Sequence, residues 1–178
     1  MNELTRERVQ DVPYDHPAAV ALRTAMQEEM GRRYADRLDE LPAGMAVQAE
    51  SVLYTGVIFD AETPVGHVLL RRLDGEVELK RMYVAPSHRG SGVASALLAG
   101  AEDAARRLGA RRIILQTGDR QPDAVRLYER EGYTRIPIYA PYTEMAYSTC
   151  FEKPVNTGTY HRVHGGQGRG DGVGEGVA

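Results

Sequence analysis

Cysteine is almost missing from this chain: Cys150 is the only one in 178 residues. A single thiol cannot close an intramolecular disulfide, and it excludes a zinc site built from paired cysteines. Its immediate neighbours, Thr149 and Phe151, carry none of the charge that would activate a nucleophile, so a structural role is expected. Histidine is sparse as well. The five histidines, His16, His67, His88, His161 and His164, do not fall at HExxH or a related ligand spacing, and no metal is expected. An excess of basic charge is also lacking. Twenty-two Lys and Arg stand against 25 Asp and Glu, a formal net charge of −3, which gives no support to nucleic acid as the main partner. No apolar run approaches the roughly 18 residues of a transmembrane helix. The charged start, Met1 to Arg8, lacks the apolar centre of a signal peptide. These absences lead to the expectation of a cytoplasmic protein without a membrane or nucleic-acid partner.

What is present fits one domain. The length and a 42% hydrophobic content are enough for a single buried core. Glycine is plentiful, 19 in all, but eight of these fall between Asn156 and Ala178. Residues 155–178 are therefore expected to be a glycine-rich disordered tail behind a domain spanning 1–154.

Along that domain, Leu4 to Val12 reads as a short strand. Asp15-His-Pro17 reads as a helix start with Asp15 as N-cap, and Gly31 as a break between two helices. Leu41 to Gly44 is a loop. Ser51–Phe59, Val65–Leu73 and Glu76–Val84 are three strands joined by short turns, hence an antiparallel meander. Gly90 to Leu108 has the apolar spacing of a long helix. Arg112–Thr117 is a strand, Pro122–Glu131 a helix, and Tyr133–Ile138 and Tyr147–Lys153 two last strands. The predicted order is β-α-α-β-β-β-α-β-α-β-β, an α/β fold with a mixed, mainly antiparallel sheet flanked by helices.

The stretch from Val77 to Ser95 carries chemistry. A strand leads through a short loop to Arg89-Gly-Ser-Gly92 and a helix start. A helix N-terminus offers unpaired N–H groups and the positive end of its dipole. Gly90 and Gly92 let a phosphate approach the backbone, Ala94 keeps the first turn slim, and Arg89 adds positive charge. This is an anion cradle suited to a pyrophosphate. Gly90-Ser-Gly92 also comes near the dinucleotide-binding GxGxxG, with Ser95 third and Asp119 as a ribose ligand. That alternative is disfavoured. Five residues separate the strand from the first glycine, and Glu78, Lys80 and Arg81 do not suit a parallel strand buried on both faces.

Arg89-Gly-Ser-Gly92-Val-Ala94 resembles the Arg/Gln-x-x-Gly-x-Gly/Ala hallmark of the GNAT superfamily of acyl-CoA-dependent N-acetyltransferases. Gln121-Pro-Asp-Ala124-Val-Arg-Leu-Tyr128-Glu-Arg-Glu-Gly132-Tyr133 resembles its second motif, with Gln121 where the family has Asn. Ser148 to Lys153 is similar to the last strand of a bacterial branch. The resemblance covers roughly Leu4 to Pro154. It implies acetyl-CoA as acyl donor. The implied contacts come from Met82, Tyr83 and Val84 along the pantetheine arm, from Arg89, Gly90, Ser91, Gly92, Val93, Ala94 and Ser95 around the pyrophosphate, and from Gln121, Ala124 and Tyr128.

The implied reaction is direct transfer to a primary amine of a small or amino-acid-like molecule. An alkylammonium has a pKa near ~10, so a base must remove a proton. Glu78 is the candidate, with an ion pair to Lys80 or Arg81 as the structural alternative. The oxyanion needs a donor, which the family takes from backbone N–H near Met82 to Val84. Tyr128 holds the position of the family's general acid for the departing thiolate. Tyr34, Tyr83, Tyr139 and Tyr142 are candidates to line the acceptor pocket, and Asp36, Asp119 or Glu144 to attract a cation. Many relatives are dimers, which makes a homodimer the partner state that the resemblance allows. Two other activities fit the same motifs: acetylation of a protein lysine or N-terminus, and CoA sensing without turnover.

Overall fold

The computed structural model describes residues 9–37 and 46–156. Within them, besides two short 3-10 turns at Ala49–Ser51 and Pro86–His88, seven strands and three α-helices follow in the order β1 (Val9–Asp11), α1 (Pro17–Arg33), β2 (Val52–Asp60), β3 (Thr63–Leu73), β4 (Glu76–Val84), α2 (Val93–Arg107), β5 (Arg112–Gly118), α3 (Pro122–Arg130), β6 (Thr134–Ile136) and β7 (Ser148–Pro154). The strands form one seven-stranded sheet in the order β1-β2-β3-β4-β5-β7-β6. All neighbours run antiparallel except β4 and β5. The mixed α/β architecture expected from the sequence is therefore present.

Several boundaries differ from expectation, each for a local reason. His16, not Asp15, caps α1: its Nδ1 accepts from Ala18 N–H at 3.1 Å. Gly31 does not divide this helix, which runs on to Arg33 and closes with Tyr34 N–H donating to the Met30 carbonyl at 3.0 Å. Among the described residues there is thus one α-helix between β1 and β2, not two. The 90–92 stretch precedes α2 instead of starting it, because Gly90 and Gly92 adopt φ of 75° and 85°. The N-terminal part of the first strand, the Leu41–Gly44 loop and the tail beyond Asn156 lie outside the described residues.

The sheet is covered on both faces. On one face, Leu97, Leu98, Ala101 and Ala105 of α2 and Tyr128 of α3 pack on Val68, Leu70, Leu79, Ile113 and Leu115. Gly66 permits this approach, since a Cβ there would stand 2.7 Å from Val93 Cγ1. On the other face, Ala18, Ala19 and Leu22 of α1 pack on Val57 and Tyr83. Full burial of each large apolar side chain is worth about 1.5–3 kcal/mol.

Two irregularities in β4 prepare the site. It pairs with β5 at only three positions, Val77–Ile113, Glu78–Ile114 and Leu79–Leu115, although both strands continue beyond them. A β-bulge then interrupts its pairing with β3: Lys80 opposes Leu69 and Tyr83 opposes His67, with Arg81 at φ 56° between them. Two β4 residues, Arg81 and Met82, thus face one β3 residue, and the alternation of side chains shifts by one. Leu79, Met82 and Val84 consequently lie towards the α2 side, and Tyr83 towards α1.

Candidate functional site

Beyond Leu79, β4 and β5 separate and leave the β5-facing side of Lys80 to Val84 without a ladder partner. Strand edges of this kind carry unused backbone donors and acceptors able to bind an extended chain as if it were another strand. The cleft leads directly to the start of α2. Gly92 caps that helix without any side-chain hydrogen bond, so its first N–H groups remain available. An added Cβ at Gly90 or Gly92 would meet nothing within 4 Å. These glycines are therefore explained by their left-handed backbone and by the open space in front of them. The cradle fits a pyrophosphate, and the cleft fits the extended arm attached to it.

The residues expected around the cradle do not all project into it. Arg89 is held to the rim: Nε donates to the Val84 carbonyl at 3.0 Å and Nη2 to Glu29 of α1 at 2.6 Å. Ser91 Oγ donates to the His88 carbonyl, and Ser95 Oγ to Glu131 at 2.6 Å. Val93 and Ala94 are half-buried in the first turn of α2. Tyr83 packs its ring in the cluster under α1, with the Arg89 guanidinium 5.7 Å from the ring centroid. Gln121 caps α3 through its backbone and leaves its side chain unbonded among the described residues.

Tyr128 stands on α3 behind the cleft, with Ala124 one turn earlier. Its ring packs against Tyr133 and Phe151 at centroid distances of 5.6 and 5.8 Å. Burial pushes its phenol above the usual range, which keeps the proton on oxygen at neutral pH. No described residue takes or gives a hydrogen bond at this hydroxyl, yet it is not among the fully sealed unpaired polar atoms. A proton held at an unengaged hydroxyl is available to an incoming atom.

Glu78 occupies a setting that the sequence analysis did not anticipate. It is 0% exposed. Its Oε2 accepts from Arg71 Nε at 2.6 Å, and its Oε1 accepts from Tyr139 and Tyr142 hydroxyls at 2.9 and 2.7 Å. The ion-pair partner is thus Arg71 on the neighbouring strand, not Lys80 or Arg81. Tyr142 is fully buried against this carboxylate, whereas Tyr139 bonds it and also lines a surface pocket with Glu76, Arg112 and Ile136. A carboxylate engaged by three donors and sealed from solvent is poorly placed to touch a substrate amine. The Tyr142 hydroxyl also accepts from Lys80 Nζ at 2.7 Å, making a chain Lys80–Tyr142–Glu78. Lys80 is 7% exposed and is the first β4 residue past the point where the strands part. Burial lowers its pKa to about 8; Arg71 and Arg81 push the same way and Glu78 opposes them.

Arg71 and Glu78 lie three residues outside the Asp74-Gly75 turn on either side, so a two-residue hairpin pairs them directly. That signal was present in the sequence. The contact of Lys80 with this cluster had no such signal, since Tyr142 comes from a distant loop. The other acceptor candidates are engaged elsewhere. Asp36 pairs with Arg120, and Asp119 with Arg37 at 3.1 Å. Tyr34 accepts from Arg120 N–H at 3.2 Å. Glu144 is exposed in the loop before β7. Cys150 is buried, and its thiol is pushed up by burial, as befits a structural residue.

Residues 19–133, which include the parted strands and the glycine-led helix, match the model of the acetyltransferase (GNAT) family. The chain belongs to that family. Among curated proteins, it is 33% identical over 90 residues to the IAA acetyltransferase of Azospirillum brasilense, covering 51% of this chain and 59% of that one. It is 45% identical over 56 residues to the aminoalkylphosphonate N-acetyltransferase of Salmonella typhimurium, or 32% of this chain and 36% of that one. The chain thus spans little more than half the length of the first of these and about a third of the second. Among solved structures, a candidate acyl-CoA N-acyltransferase from Klebsiella pneumoniae superposes with a TM-score of 0.68 at 29% identity, over 83% of this chain and 97% of that one. No described helix is long and apolar enough to cross a membrane, and no group of described residues could hold a metal ion.

Proposed function

We propose that the protein transfers an acetyl group from acetyl-CoA directly to the primary amine of a small or amino-acid-like molecule. The observation that carries this reading is the parting of β4 from β5 immediately before the uncapped start of α2. Membership of the GNAT family and the names of the two curated relatives support it. Acetyl-CoA supplies the thioester that the amine attacks. The N–H groups following Gly90 and Gly92 hold the pyrophosphate, with Arg89 at the rim. The backbone edge at Met82 to Val84, which has no β5 partner and whose Val84 carbonyl accepts from Arg89, positions the arm and offers the donor for the oxyanion. Tyr128 holds the proton that the departing sulfur needs.

We take Lys80, in place of Glu78, as the base. Glu78 acts through Tyr142 as the anchor of the cluster, and Lys80 in its neutral form accepts the proton of the attacking amine. A group with a pKa near the working pH is efficient in this role. The neutral fraction of Lys80 increases as pH rises through about 8. The kcat for a saturating amine, followed by thiol release from acetyl-CoA, should therefore climb up to that pH and level above it. Lys80→Met should lower kcat by about 10²–10⁴ and remove that limb. Retention of the limb in Lys80→Met would assign the base elsewhere.

A further inference from the structure

One group of cations near the cleft is not used by the chemistry above. Arg23 of α1 stacks on the Tyr14 ring at 3.9 Å and donates to the Tyr14 carbonyl at 2.5 Å. Its other Nη lies 3.1 Å from Nε2 of His67, whose Nδ1 lies 2.8 Å from the Arg81 carbonyl in the β4 bulge. A carbonyl can only accept, so Nδ1 carries the proton and Nε2 accepts from Arg23. His67 is therefore neutral and fully buried, and burial lowers its pKa to about 4. It locks Arg23 to the bulge without neutralising it. Arg81 itself is half-buried and makes no side-chain hydrogen bond or ion pair among the described residues. The His67 bridge sets Arg23 beside the Arg81 backbone, next in sequence to Lys80.

Two guanidiniums without a carboxylate are unusual in such a place. Other half-buried or buried arginines have an acid: Arg33 has Glu29, Arg71 has Glu78, Arg112 has Glu76 and Glu152, Arg37 has Asp119 and Arg120 has Asp36, whereas the arginines without one, such as Arg72 and Arg111, are exposed. Partly buried like charges repel, and a planar guanidinium has a fork of donors matched to an oxyanion. The position is also specific. Arg81 follows Lys80 in sequence and Arg23 stands on α1, whereas Tyr128 packs on the face covered by α2.

We propose that Arg23 and Arg81 form a subsite for a carboxylate or phosphonate carried by the acceptor, so that the molecules acetylated are short anionic amines. This rests on the acetyl-transfer reading, with Lys80 at the amine end and the two arginines at the anionic end. His67 is a positioning residue that fixes Arg23 relative to the bulge.

The test compares matched amines: β-alanine against β-alaninamide, and 2-aminoethylphosphonate against ethanolamine. In the unaltered protein the anionic member of a pair should show the lower KM, and which pair does so tells carboxylate from phosphonate. Arg81→Gln should raise the ratio of anionic to neutral KM about tenfold or more, the scale of one charged hydrogen bond. Arg81→Lys should recover much of it, and Arg23→Gln should act in the same direction. Calorimetric titration of the anionic amines into CoA-saturated protein needs no turnover. It separates failure of this subsite from failure of the enzymatic reading. Binding that weakens tenfold in Arg81→Gln supports the subsite even if no amine is acetylated. Binding or KM ratios unchanged by Arg81→Gln, or no binding of either anion to the unaltered protein, would overturn it.

Discussion

Gly92→Asp should weaken CoA binding about a hundredfold while leaving the protein folded. Gly92 sits at φ 85°, where an L-residue incurs about 1–2 kcal/mol of strain. A carboxylate at the same place would occupy the space in front of the helix and repel a pyrophosphate. It would also accept the very N–H groups the pyrophosphate needs, each such charged hydrogen bond being worth about 1.5–3 kcal/mol. A loss of about 3 kcal/mol in binding corresponds to roughly two powers of ten in affinity. The fold should survive because Asp is a favoured N-cap, which offsets part of the backbone strain. Calorimetric titration with CoA, beside a melting curve without it, separates the two effects. Affinity within threefold of the unaltered protein would place the cradle elsewhere.

Glu78→Gln is expected to have the largest effect on stability. Arg71 and Glu78 are 5% and 0% exposed in their side chains and meet at 2.6 Å. Removing one partner leaves an uncompensated buried charge, at a cost of about 3–5 kcal/mol. That is a large share of the roughly 5–15 kcal/mol that holds a domain together. For a chain of this size, Tm should fall by about 10 °C. The double replacement Arg71→Met with Glu78→Leu should recover part of the loss, since it removes the Arg71 charge but leaves Lys80 and the two tyrosine hydroxyls without the carboxylate. Denaturant unfolding of both variants checks this. Equal stability of Glu78→Gln and the unaltered protein would mean that the pair does not anchor the cluster. A double replacement as unstable as the single one would mean that packing around Tyr139 and Tyr142, not charge, is decisive.

Much of the fold was legible because it follows from short-range patterns. The Asp74-Gly75 turn fixes the β3–β4 register, and the apolar stripe of α2 fixes which of its faces is buried. The cradle was legible for the same reason: two glycines, an arginine and a helix start are neighbours in sequence. The acceptor side was not. A strict alternation along β4 would place Glu78, Lys80, Met82 and Val84 on one face. The bulge at Arg81 breaks that alternation and divides them between two. Nothing local marks the bulge, since Arg81 is neither glycine nor asparagine. The partners of Glu78, Lys80 and His67 come from Tyr139, Tyr142 and Arg23, 61, 62 and 44 residues away respectively. Such contacts depend on how α1 and the loop before β7 cover the sheet. The same distance explains why Glu78 read as a base or as a partner of its strand neighbours Lys80 and Arg81. Its Arg71 partner was within reach of a register argument, but its two tyrosine donors were not.

The central claim is that the split between β4 and β5 serves acetyl transfer to a small amine. The most direct measurement is product analysis by mass spectrometry after incubation with acetyl-CoA and a panel of small amines, with released thiol counted in parallel. The expected result is an N-acetylated amine formed one-for-one with free CoA, with formation falling in Gly92→Asp and Lys80→Met. Tight CoA binding with no acetylated amine from any member of the panel would contradict the claim and leave a CoA-binding protein in its place.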